Sequence, residues 1–454
     1  MDIVIGNLKS KIVTDNPKVI KALDKLYSFR VPGAEFSPSY KRKRWDGKKH
    51  YISPNGAFAT GLLPRVIEDL KKAGCDPNLK NLQTSDSYKL ENIDNLKYYS
   101  FQKSLIQKVL CERRGVIKSP TGSGKTLIMA GIIKSLAKKH KKMVILFNAK
   151  QLLSQTYEFL SKTCNMEDLG VCFGEGFIPG NIMLCTVQSI EKILDTHLDE
   201  SEVLIIDEVH EFCKGKTTLA AIESFPNAIF RVGLTATPPT DKIPRYNLEG
   251  AIGPVWEEAT TISLIESGKL TKPIIQLLPT EQFNGDDYDL SYEEIYEKYI
   301  INNEHRNSLI KSVVDKIKQV NDRARILILT LSLEHASLLH EEIEGSLKLQ
   351  GEDEMVKRYE TIASFLSNDG NSVLIGTKIL QTGVNIKEIT HFINARGLRS
   401  EIATIQALGR AIRKHESKQQ VYIYDFMDKA KYLDNHAKAR KTYYLKEKHT
   451  VEEV

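Results

Sequence analysis

Short apolar runs recur along most of the chain and alternate with longer stretches of helical periodicity. Between residues 96 and 270, the runs lie at 116–117, 144–147, 182–185, 203–206 and 229–234. From residue 271 onwards, they lie at 274–278, 326–331, 373–375, 392–394 and 421–424. Strands that alternate with helices favour a mostly parallel sheet covered by helices. The pattern therefore predicts two α/β domains, at residues 96–270 and 271–454.

Residues 1–95 do not follow this alternation and contain several residues that mark turns: Pro32, Gly33, Pro38, Pro54, Gly56 and Pro77. This segment is predicted to be a small α+β module, with one helix at residues 61–70 and Pro64 in its first turn. Residues 1–97 contain 18 basic and 11 acidic side chains, whereas the whole chain has a net charge of +6. The concentrated positive charge indicates a polyanionic partner, with a solvated basic surface as the alternative.

The composition is typical of a soluble protein with several domains. Of the 454 residues, 41% are hydrophobic and 27% are charged, and this length exceeds what one hydrophobic core supports. The longest apolar run, at 127–133, is far shorter than the roughly 18–20 residues of a membrane span. The chain start has no secretory signal pattern, and the six cysteines include no Cys-x-x-Cys pair. We therefore expect a cytoplasmic protein with reduced thiols and no membrane association.

Two further stretches are strongly charged. Residues 281–304 contain eight acidic residues and one lysine, which predicts a solvated loop leading into a helix. Residues 429–448 contain seven basic and two acidic residues, with interspersed tyrosines, and predict another helix. This second helix is expected to pack its aromatic residues on the second α/β domain; a nucleic-acid contact is the alternative.

Residues 119–126 have the pattern of a phosphate-binding loop, between the predicted strand at 116–117 and the apolar segment at 127–133. Gly122 and Gly124 allow the backbone to direct N–H groups at phosphate oxygens, and the helix N-terminus adds its dipole. Lys125 is predicted to reach the β- and γ-phosphates, and Thr126 to ligate Mg²⁺. The predicted ATP-binding residues are Ser119, Pro120, Thr121, Gly122, Ser123, Gly124, Lys125 and Thr126. Ser119 stands where the general pattern has glycine.

An acidic pair follows the predicted strand at 203–206. Four consecutive apolar residues are typical of a strand buried on both faces. Asp207, at its carboxyl end, is predicted to bind ATP-associated Mg²⁺ through water, and Glu208 is predicted to orient or deprotonate the attacking water. Beside the phosphate-binding loop, this pair indicates an ATP-hydrolysing site.

The string Asp207-Glu208-Val209-His210 resembles the Walker B box of superfamily 2 helicases of the DExH kind. The resemblance covers residues 98–428 and implies two tandem RecA-like domains that use ATP. It implies that Gln102 reads adenine, and that Gln155, Thr186 and Thr377 contact nucleic acid. His210, Thr235 and Thr237 are implied in coupling hydrolysis to movement; a packed core histidine is the alternative for His210. Gly383 and Gln406, in the fifth and sixth motifs, are implied near ATP, although Asn385 replaces an aspartate usual in the fifth.

Arg410 and Arg413 belong to the sixth motif, Gln406-x-x-Gly409-Arg410-x-x-Arg413. Guanidinium groups stabilise the charge that develops on the γ-phosphoryl oxygens. Their spacing of three places both arginines on one face of a predicted helix, so both can point across one cleft. We expect Lys125, Glu208, Arg410 and Arg413 to be the catalytic residues.

The basic segment from Pro38 to Lys49, followed by the segment from Phe58 to Leu63, looks like the accessory domain of phage helicases of the UvsW type, which remodel branched DNA in recombination and fork rescue. Its predicted DNA-contacting residues are Lys41, Arg42, Lys43, Arg44, Trp45, Lys48 and Lys49. Basic and aromatic side chains together suit phosphate contacts and base stacking. For Trp45, a role as core anchor of a β-hairpin is the alternative.

Taken with the ATP-site motifs, the resemblance implies an ATP-dependent DNA helicase that unwinds or branch-migrates forked and junction DNA in phage replication, recombination or repair. Its partner is expected to be branched or forked DNA, its cofactors ATP and Mg²⁺, and its state a monomer in the cytoplasm, host cytoplasm if viral. Three alternatives stay open: an RNA helicase, a motor subunit that translocates without unwinding, and a nucleotide-gated binding module. The intact Glu208 and arginine pair argue against the last of these.

Overall fold

The computed structural model describes all residues except 82–86, 198, 214, 281–286, 288, 351–352, 378–385 and 417. The chain divides into two units: residues 1–119 with 124–259, and residues 120–123 with 260–454. The N-terminal module therefore belongs to the same unit as the first α/β domain. Among the described residues, no helix has the length and apolar character needed to cross a lipid bilayer.

The described residues of the N-terminal module form six short strands and three α-helices. The strands are β1 (Asp2–Ile5), β2 (Lys9–Val13), β3 (Ser28–Arg30), β4 (Lys48–His50), β5 (Ala57–Ala59) and β6 (Asn78–Asn81), and the helices are α1 (Pro17–Leu26), α2 (Pro38–Lys41) and α3 (Leu63–Lys72). One sheet has the order β5-β2-β1-β6, and β3 pairs with β4 in a separate antiparallel ribbon. The helix predicted at 61–70 is confirmed as α3, which has Pro64 in its first turn and buries Val66 and Leu70 in the module core.

The first α/β domain contains an eight-stranded sheet with helices between its strands. Its elements are α4 (Ser100–Glu112), β7 (Arg114–Lys118), α5 (Lys125–Leu136), β8 (Met143–Phe147), α6 (Lys150–Glu158), β9 (Leu169–Phe173), β10 (Gly176–Ile178), β11 (Ile182–Thr186), α7 (Leu194–His197), β12 (Val203–Ile206), α8 (Lys216–Glu223), β13 (Phe230–Thr235), α9 (Lys242–Ala251) and β14 (Val255–Glu257). The strand order is β10-β9-β11-β8-β12-β13-β7-β14, and within the described part of this sheet only β10 runs antiparallel to its neighbour. Each of the five apolar runs predicted here lies in a strand.

The second α/β domain is built around a seven-stranded parallel sheet. Its elements are α10 (Thr261–Glu266), β15 (Lys272–Pro279), α11 (Tyr292–Tyr296), α12 (Glu304–Val320), β16 (Arg325–Leu329), α13 (Leu333–Glu342), β17 (Ser346–Leu349), α14 (Met355–Ser367), β18 (Ser372–Gly376), β19 (His391–Asn394), α15 (Glu401–Ala411), β20 (Gln420–Met427), α16 (Leu433–Lys446) and β21 (Thr450–Glu453). The strand order is β17-β18-β16-β19-β20-β15-β21. The predicted fold class, two tandem α/β domains with a small α+β module, is confirmed.

The structure tests the predictions for the two charged stretches, residues 281–304 and 429–448, to different extents. The acidic stretch falls partly outside the described residues, and α11 and the start of α12 occupy its second half. The basic C-terminal stretch is helical, as predicted. Its α16 buries Arg440 and Tyr444, and the Tyr444 hydroxyl donates to Asp425 at 2.6 Å. These contacts support the packing interpretation of this helix.

The N-terminal module packs directly on α9 of the first α/β domain. Tyr246 contacts three module aromatics, with ring centroids 5.7 Å from Tyr27, 4.7 Å from Phe29 and 5.3 Å from Tyr51. The Glu249 carboxylate, only 2% exposed, accepts hydrogen bonds from Arg65 of the module and from Arg245. A Cβ atom on Gly61 would lie 1.9 Å from the Glu249 carbonyl oxygen, so the close approach requires glycine. The module is therefore fixed to this domain by apolar, ionic and backbone contacts.

Candidate active site

Three neighbouring strands of the first α/β domain deliver the candidate residues to one edge of its sheet. β12 pairs in parallel with β13, and β13 pairs in parallel with β7. The carboxyl ends of parallel strands meet at the same edge, which is where ligands bind in open α/β sheets. The phosphate-binding loop follows β7, the acidic pair follows β12, and Thr235 ends β13 between them.

The loop between β7 and α5 has the backbone geometry that its glycines predict. Gly122 and Gly124 have φ angles of 84° and 85°, which side chains with a Cβ rarely adopt. The Ser119 N–H donates to the Thr235 carbonyl at 2.9 Å, which fixes the start of the loop to β13. The twelve-residue helix α5 begins at Lys125, so its unpaired N–H groups face the end of the loop.

Gln102 lies on α4 beside this loop. It is 1% exposed, and its Oε1 accepts a hydrogen bond from the Tyr99 N–H at 2.8 Å. A Cβ atom on Gly124 would lie 2.6 Å from Gln102 Nε2, so the glutamine packs closely on the loop backbone. The structure therefore brings the predicted adenine reader next to the predicted phosphate-binding residues.

The Lys125 ammonium lies 3.6 Å from Glu208 Oε1, which joins the loop to the acidic pair. Glu208 has a φ angle of 45°, a left-handed conformation that costs energy for a residue with a side chain. Its Oε2 atom is buried without a hydrogen-bond partner. Burial, followed by the Glu208 charge, raises the pKa of the neighbouring Asp207 carboxyl to about 6. Thr126, on the first turn of α5, is half-buried.

The three residues predicted to couple hydrolysis to movement lie together beside Glu208. His210 is 1% exposed, and its Nδ1 lies 2.8 Å from Thr235 Oγ1 and 3.4 Å from Glu208 Oε2. The Thr237 N–H donates to Thr235 Oγ1 at 3.0 Å. His210 Nε2 lies 2.9 Å from Glu211, a neighbour that the sequence did not single out. His210 is thus a buried histidine, and its polar contacts all lie in this cluster.

The predicted nucleic-acid residues of the two α/β domains differ in exposure. Gln155 is exposed on α6. Thr186, at the end of β11, is 5% exposed and donates to Ser189 Oγ at 3.2 Å. Thr377 follows β18 and is 8% exposed. The fifth-motif residues Gly383 to Asn385 lie outside the described residues.

The sixth-motif residues lie at the end of α15. Gln406 and Arg410 are half-buried on this helix. The prediction that Arg410 and Arg413 share one helix face is wrong, because α15 ends at Ala411 and Arg413 pairs with Leu270 in an isolated β-bridge. The Thr271 hydroxyl donates to the Arg413 carbonyl at 3.3 Å, which holds this segment away from a helical path. Burial, followed by the Arg410 charge, lowers the pKa of Arg413 to about 10.

Lys418 is a residue of this segment that the sequence analysis did not identify. It is 4% exposed, and its Nζ donates to the Ala411 carbonyl at 2.7 Å and to the Ile389 carbonyl at 2.8 Å. Ala411 is the last residue of α15, so Lys418 satisfies an end carbonyl between Arg410 and Arg413. No local pattern marks this lysine, because it lies seven residues after the last residue of α15.

The predicted basic residues of the N-terminal module are not equivalent in the structure. Lys41, Arg42, Lys43, Arg44 and Lys48 are exposed. Lys49 is half-buried, and its ammonium donates to Asn247 of α9 at 2.6 Å. Trp45 is half-buried, lies outside the module core, and donates its indole N–H to the Lys48 carbonyl at 2.7 Å. Lys49 and Trp45 therefore have structural partners, whereas the first four cations form an exposed cluster.

Two family models match this chain. The model "Type III restriction enzyme, res subunit" covers residues 95–240, and the model "Helicase conserved C-terminal domain" covers residues 305–415. These ranges contain the loop, the acidic pair and the coupling residues of the first domain, and both arginines of the second.

Relatives resemble the chain over most of its length. It is 24% identical over 447 residues to the "ATP-dependent DNA helicase uvsW" of Enterobacteria phage T4. The match covers 92% of this chain and 88% of that protein. It is also 24% identical over 394 residues to "Putative helicase 22" of Sulfolobus islandicus filamentous virus, 76% of this chain and 68% of that protein. The fold is shared with the structure of S. cerevisiae Dbp5 bound to RNA and ADP BeF3, with a TM-score of 0.58 and 15% sequence identity. This match covers 79% of this chain and 90% of the Dbp5 chain.

Proposed function

We propose that this chain, a superfamily 2 helicase that resembles the uvsW type, uses ATP hydrolysis to unwind or branch-migrate forked and junction DNA. The observation that carries the proposal is the juxtaposition of Lys125 and Glu208 at 3.6 Å, at the ends of strands separated only by β13. A relative that matches over 447 residues, the phage T4 protein, is named an ATP-dependent DNA helicase and supports DNA as the substrate.

The proposed ATP site assigns a role to each residue at this sheet edge. The loop N–H groups and the start of α5 bind the phosphates, and Lys125 neutralises the β- and γ-phosphoryl charge. Glu208 holds the attacking water and takes its proton; a carboxylate oxygen without a hydrogen-bond partner in the protein is suited to that role. Arg410 and Arg413 stabilise the charge that develops on the γ-phosphoryl oxygens.

Mg²⁺ is the cation that this proposal requires. The Asp207 carboxylate and the Thr126 hydroxyl are hard oxygen donors of the kind that Mg²⁺ prefers, and phosphate oxygens and water would supply the remaining ligands. Burial raises the pKa of Asp207 in the ion-free protein, and a bound divalent cation would favour its charged form. When bound, the ion would neutralise part of the phosphate charge.

His210, Thr235 and Thr237 are proposed to link the state of this site to DNA movement. Hydrogen bonds join these three residues, and His210 Nδ1 lies 3.4 Å from Glu208 Oε2, so the cluster links Glu208, which follows β12, to the loop that follows β13. That loop leads into α9, which carries the N-terminal module. A displacement of the loop during hydrolysis can therefore be transmitted to the module through a short and well-packed connection.

The exposed cluster Lys41, Arg42, Lys43 and Arg44 is proposed to bind DNA phosphates. Four cations in consecutive positions provide a sequence-independent attraction for a polyanion. Because the module packs on α9, DNA held by this cluster would stay in a fixed relation to the first α/β domain.

Turnover and strand separation on a panel of nucleic acids test the proposal. Wild-type protein and the Glu208→Gln variant would be assayed with single-stranded DNA, forked DNA, a mobile junction, linear duplex and RNA. We expect forked and junction DNA to stimulate ATP turnover and to be unwound or migrated, with both activities lost in Glu208→Gln. Stronger stimulation by RNA would favour an RNA helicase, and turnover without strand separation would favour a translocating motor. Nucleotide-dependent DNA binding without turnover would identify a binding module.

A further inference from the structure

Phe36 lies in the loop that joins β3 to β4 of the N-terminal module. Its side chain is 76% exposed, more than any other aromatic side chain in the described part of the chain. Exposure of a phenyl ring to water is unfavourable, so a ligand that covers this ring would be stabilised by the apolar surface it removes from water.

The loop that carries Phe36 is held by hydrogen bonds along its length. The Val31 N–H donates to the Gly47 carbonyl at 2.8 Å, which closes the base of the loop next to the β3–β4 ribbon. The Phe36 N–H donates to the Gly33 carbonyl at 3.1 Å, and Ala34 is buried. The backbone that carries Phe36 is therefore held by local structure, and little backbone freedom is lost when the ring is covered.

Side chains of the same loop brace its interior. The Arg30 guanidinium lies over the Tyr40 ring, 5.2 Å from its centroid, and also pairs with Glu35 at 3.3 Å. A Cβ atom on Gly47 would lie 2.9 Å from the Tyr40 ring, so this ring packs against the loop backbone. Tyr40 thus belongs to the packing of the loop, whereas Phe36 leaves most of its ring exposed.

The exposed cation cluster begins five residues after Phe36. A chain of five residues spans at most about 18 Å, so Phe36 lies within that distance of Lys41. Backbone hydrogen bonds from Lys41 to Ser37 and from Arg42 to Pro38 shorten the path further by forming a helical turn. An aromatic ring beside a group of cations is the combination that binds unpaired nucleic acid, because the cations bind phosphates and the ring stacks on a base.

Trp45, the aromatic residue that the sequence favoured for stacking, is less suited to it. Its indole N–H is already held by the Lys48 carbonyl, and the side chain is half-buried. A stacking platform must present an open face to the base. In this loop, Phe36 meets that requirement better than Trp45.

We propose that Phe36 is a base-stacking residue of the N-terminal module and covers an unpaired base at the branch point of forked DNA. The inference rests on the proposed function and deepens it, because it assigns the module a preference for single-stranded or branched DNA over blunt duplex. The cation cluster attracts any DNA, and stacking on Phe36 favours DNA with an unpaired base over blunt duplex.

Binding measurements on the full chain test this assignment. Fluorescence anisotropy would compare Phe36→Ala and Phe36→Trp with the matched control Phe177→Ala, whose ring is 46% exposed on β10. We expect Phe36→Ala to weaken binding to a fork with single-stranded arms by roughly 5- to 100-fold, and to leave linear duplex binding and the melting temperature nearly unchanged. Phe36→Trp should retain fork binding, and Phe177→Ala should behave like the wild type.

A second variant separates failure of this inference from failure of the proposed function. If Phe36→Ala binds the fork as tightly as wild type, while neutralisation of Lys41, Arg42, Lys43 and Arg44 weakens it, stacking is wrong and the DNA-binding role of the module stands. If the neutralised variant also binds normally, the DNA-binding role itself fails. Equal losses on fork and blunt duplex would also overturn the inference, because a stacking residue requires an unpaired base.

Discussion

His210 Nδ1 lies 2.8 Å from Thr235 Oγ1, and this contact joins the residues that follow β12 to those that follow β13. The same threonine oxygen accepts the Thr237 N–H at 3.0 Å, so its hydroxyl hydrogen is available for the imidazole. The histidine lies 3.4 Å from Glu208 as well. The contact therefore places one side chain between the proposed catalytic carboxylate and the loop that leads to α9.

Removal of this imidazole should separate ATP turnover from DNA movement. We expect His210→Ala to keep DNA-stimulated turnover within about tenfold of wild type, because Lys125 and Glu208 stay in place, and to lose strand separation by a larger factor. Parallel ATPase and unwinding assays measure the two effects. His197→Ala, which also removes a histidine only 5% exposed from this domain, controls for general destabilisation. A proportional loss of both activities would show that His210 is only a structural residue.

Lys125 is predicted to act on phosphate charge and not on DNA. Lys125→Ala should reduce turnover by at least about 10²-fold, the typical loss when one charge-stabilising group is removed, while DNA affinity stays near the wild-type value. Lys134→Ala on the same helix is the matched control, since its side chain is 31% exposed and pairs with Asp94 away from the loop. Preserved turnover in a folded Lys125→Ala protein would remove the proposed ATP site.

Arg410 and Arg413 are predicted to act mainly on the transition state. Arginines that neutralise developing phosphoryl charge are worth roughly 10³–10⁵ in rate, and we expect a smaller loss for each single variant because two share the role. ATP affinity and single-turnover rate would be measured for Arg410→Ala and Arg413→Ala. Equal losses in affinity and rate would assign both residues to ground-state binding.

The cation cluster of the module should dominate the salt dependence of duplex binding. Each phosphate contact contributes about 0.9 to the slope of log affinity against log salt, so loss of four contacts sets an upper limit near 3.6. Neutralisation of Lys41, Arg42, Lys43 and Arg44 should therefore flatten the slope. Basal turnover without DNA should be unchanged.

A control of equal charge is available for that experiment. Lys138, Lys141, Lys162 and Lys311 are exposed but scattered over the two α/β domains. Their simultaneous neutralisation should change the slope much less than loss of the cluster. Equal slopes for the two variants would mean that the cluster is only a solvated surface.

The parallel sheets could be predicted from the sequence because their central strands are short, uniformly apolar runs. Val203–Ile206 and Met143–Phe147 are buried on both faces, and such strands leave a clear hydrophobic pattern. The missed strands include β17 and β21, at the two edges of the second sheet, where polar residues are tolerated. Burial on both faces makes the central strands recognisable as apolar runs, whereas edge strands tolerate polar residues and lack this pattern.

The site could be predicted where its residues are close in sequence, and less well where distant residues decide the geometry. The loop from Ser119 to Thr126 and the pair Asp207 and Glu208 adopt the expected strand–turn positions because local backbone geometry defines them. Arg413 leaves its helix because Leu270 pairs with it, and Lys49 turns to Asn247, 198 residues away. No local pattern contains information on such partners.

Lys418 provides a test of stability against pH in the second α/β domain. Burial lowers the pKa of its amine to about 7 from an ordinary value of 10.5, with Glu388 opposing the shift and Arg413 adding to it. Between these two values, the unfolded chain binds a proton that the folded chain does not. The free energy of unfolding therefore increases as the pH rises from about 7 to 10.5, because unfolding takes up this proton. Below pH 7, Lys418 makes no such contribution.

The neutral amine has two N–H groups, which match the carbonyls of Ala411 and Ile389. Lys418→Met should remove both hydrogen bonds and cost about 1–3 kcal/mol of unfolding free energy at pH 7, because two buried carbonyls lose their donor. The stability difference between wild type and Lys418→Met should then widen as the pH rises towards 10, while titration of other groups cancels in the difference. Urea unfolding at several pH values measures it. A difference that stays constant or narrows would mean that the folded protein keeps Lys418 charged, with an ordinary pKa.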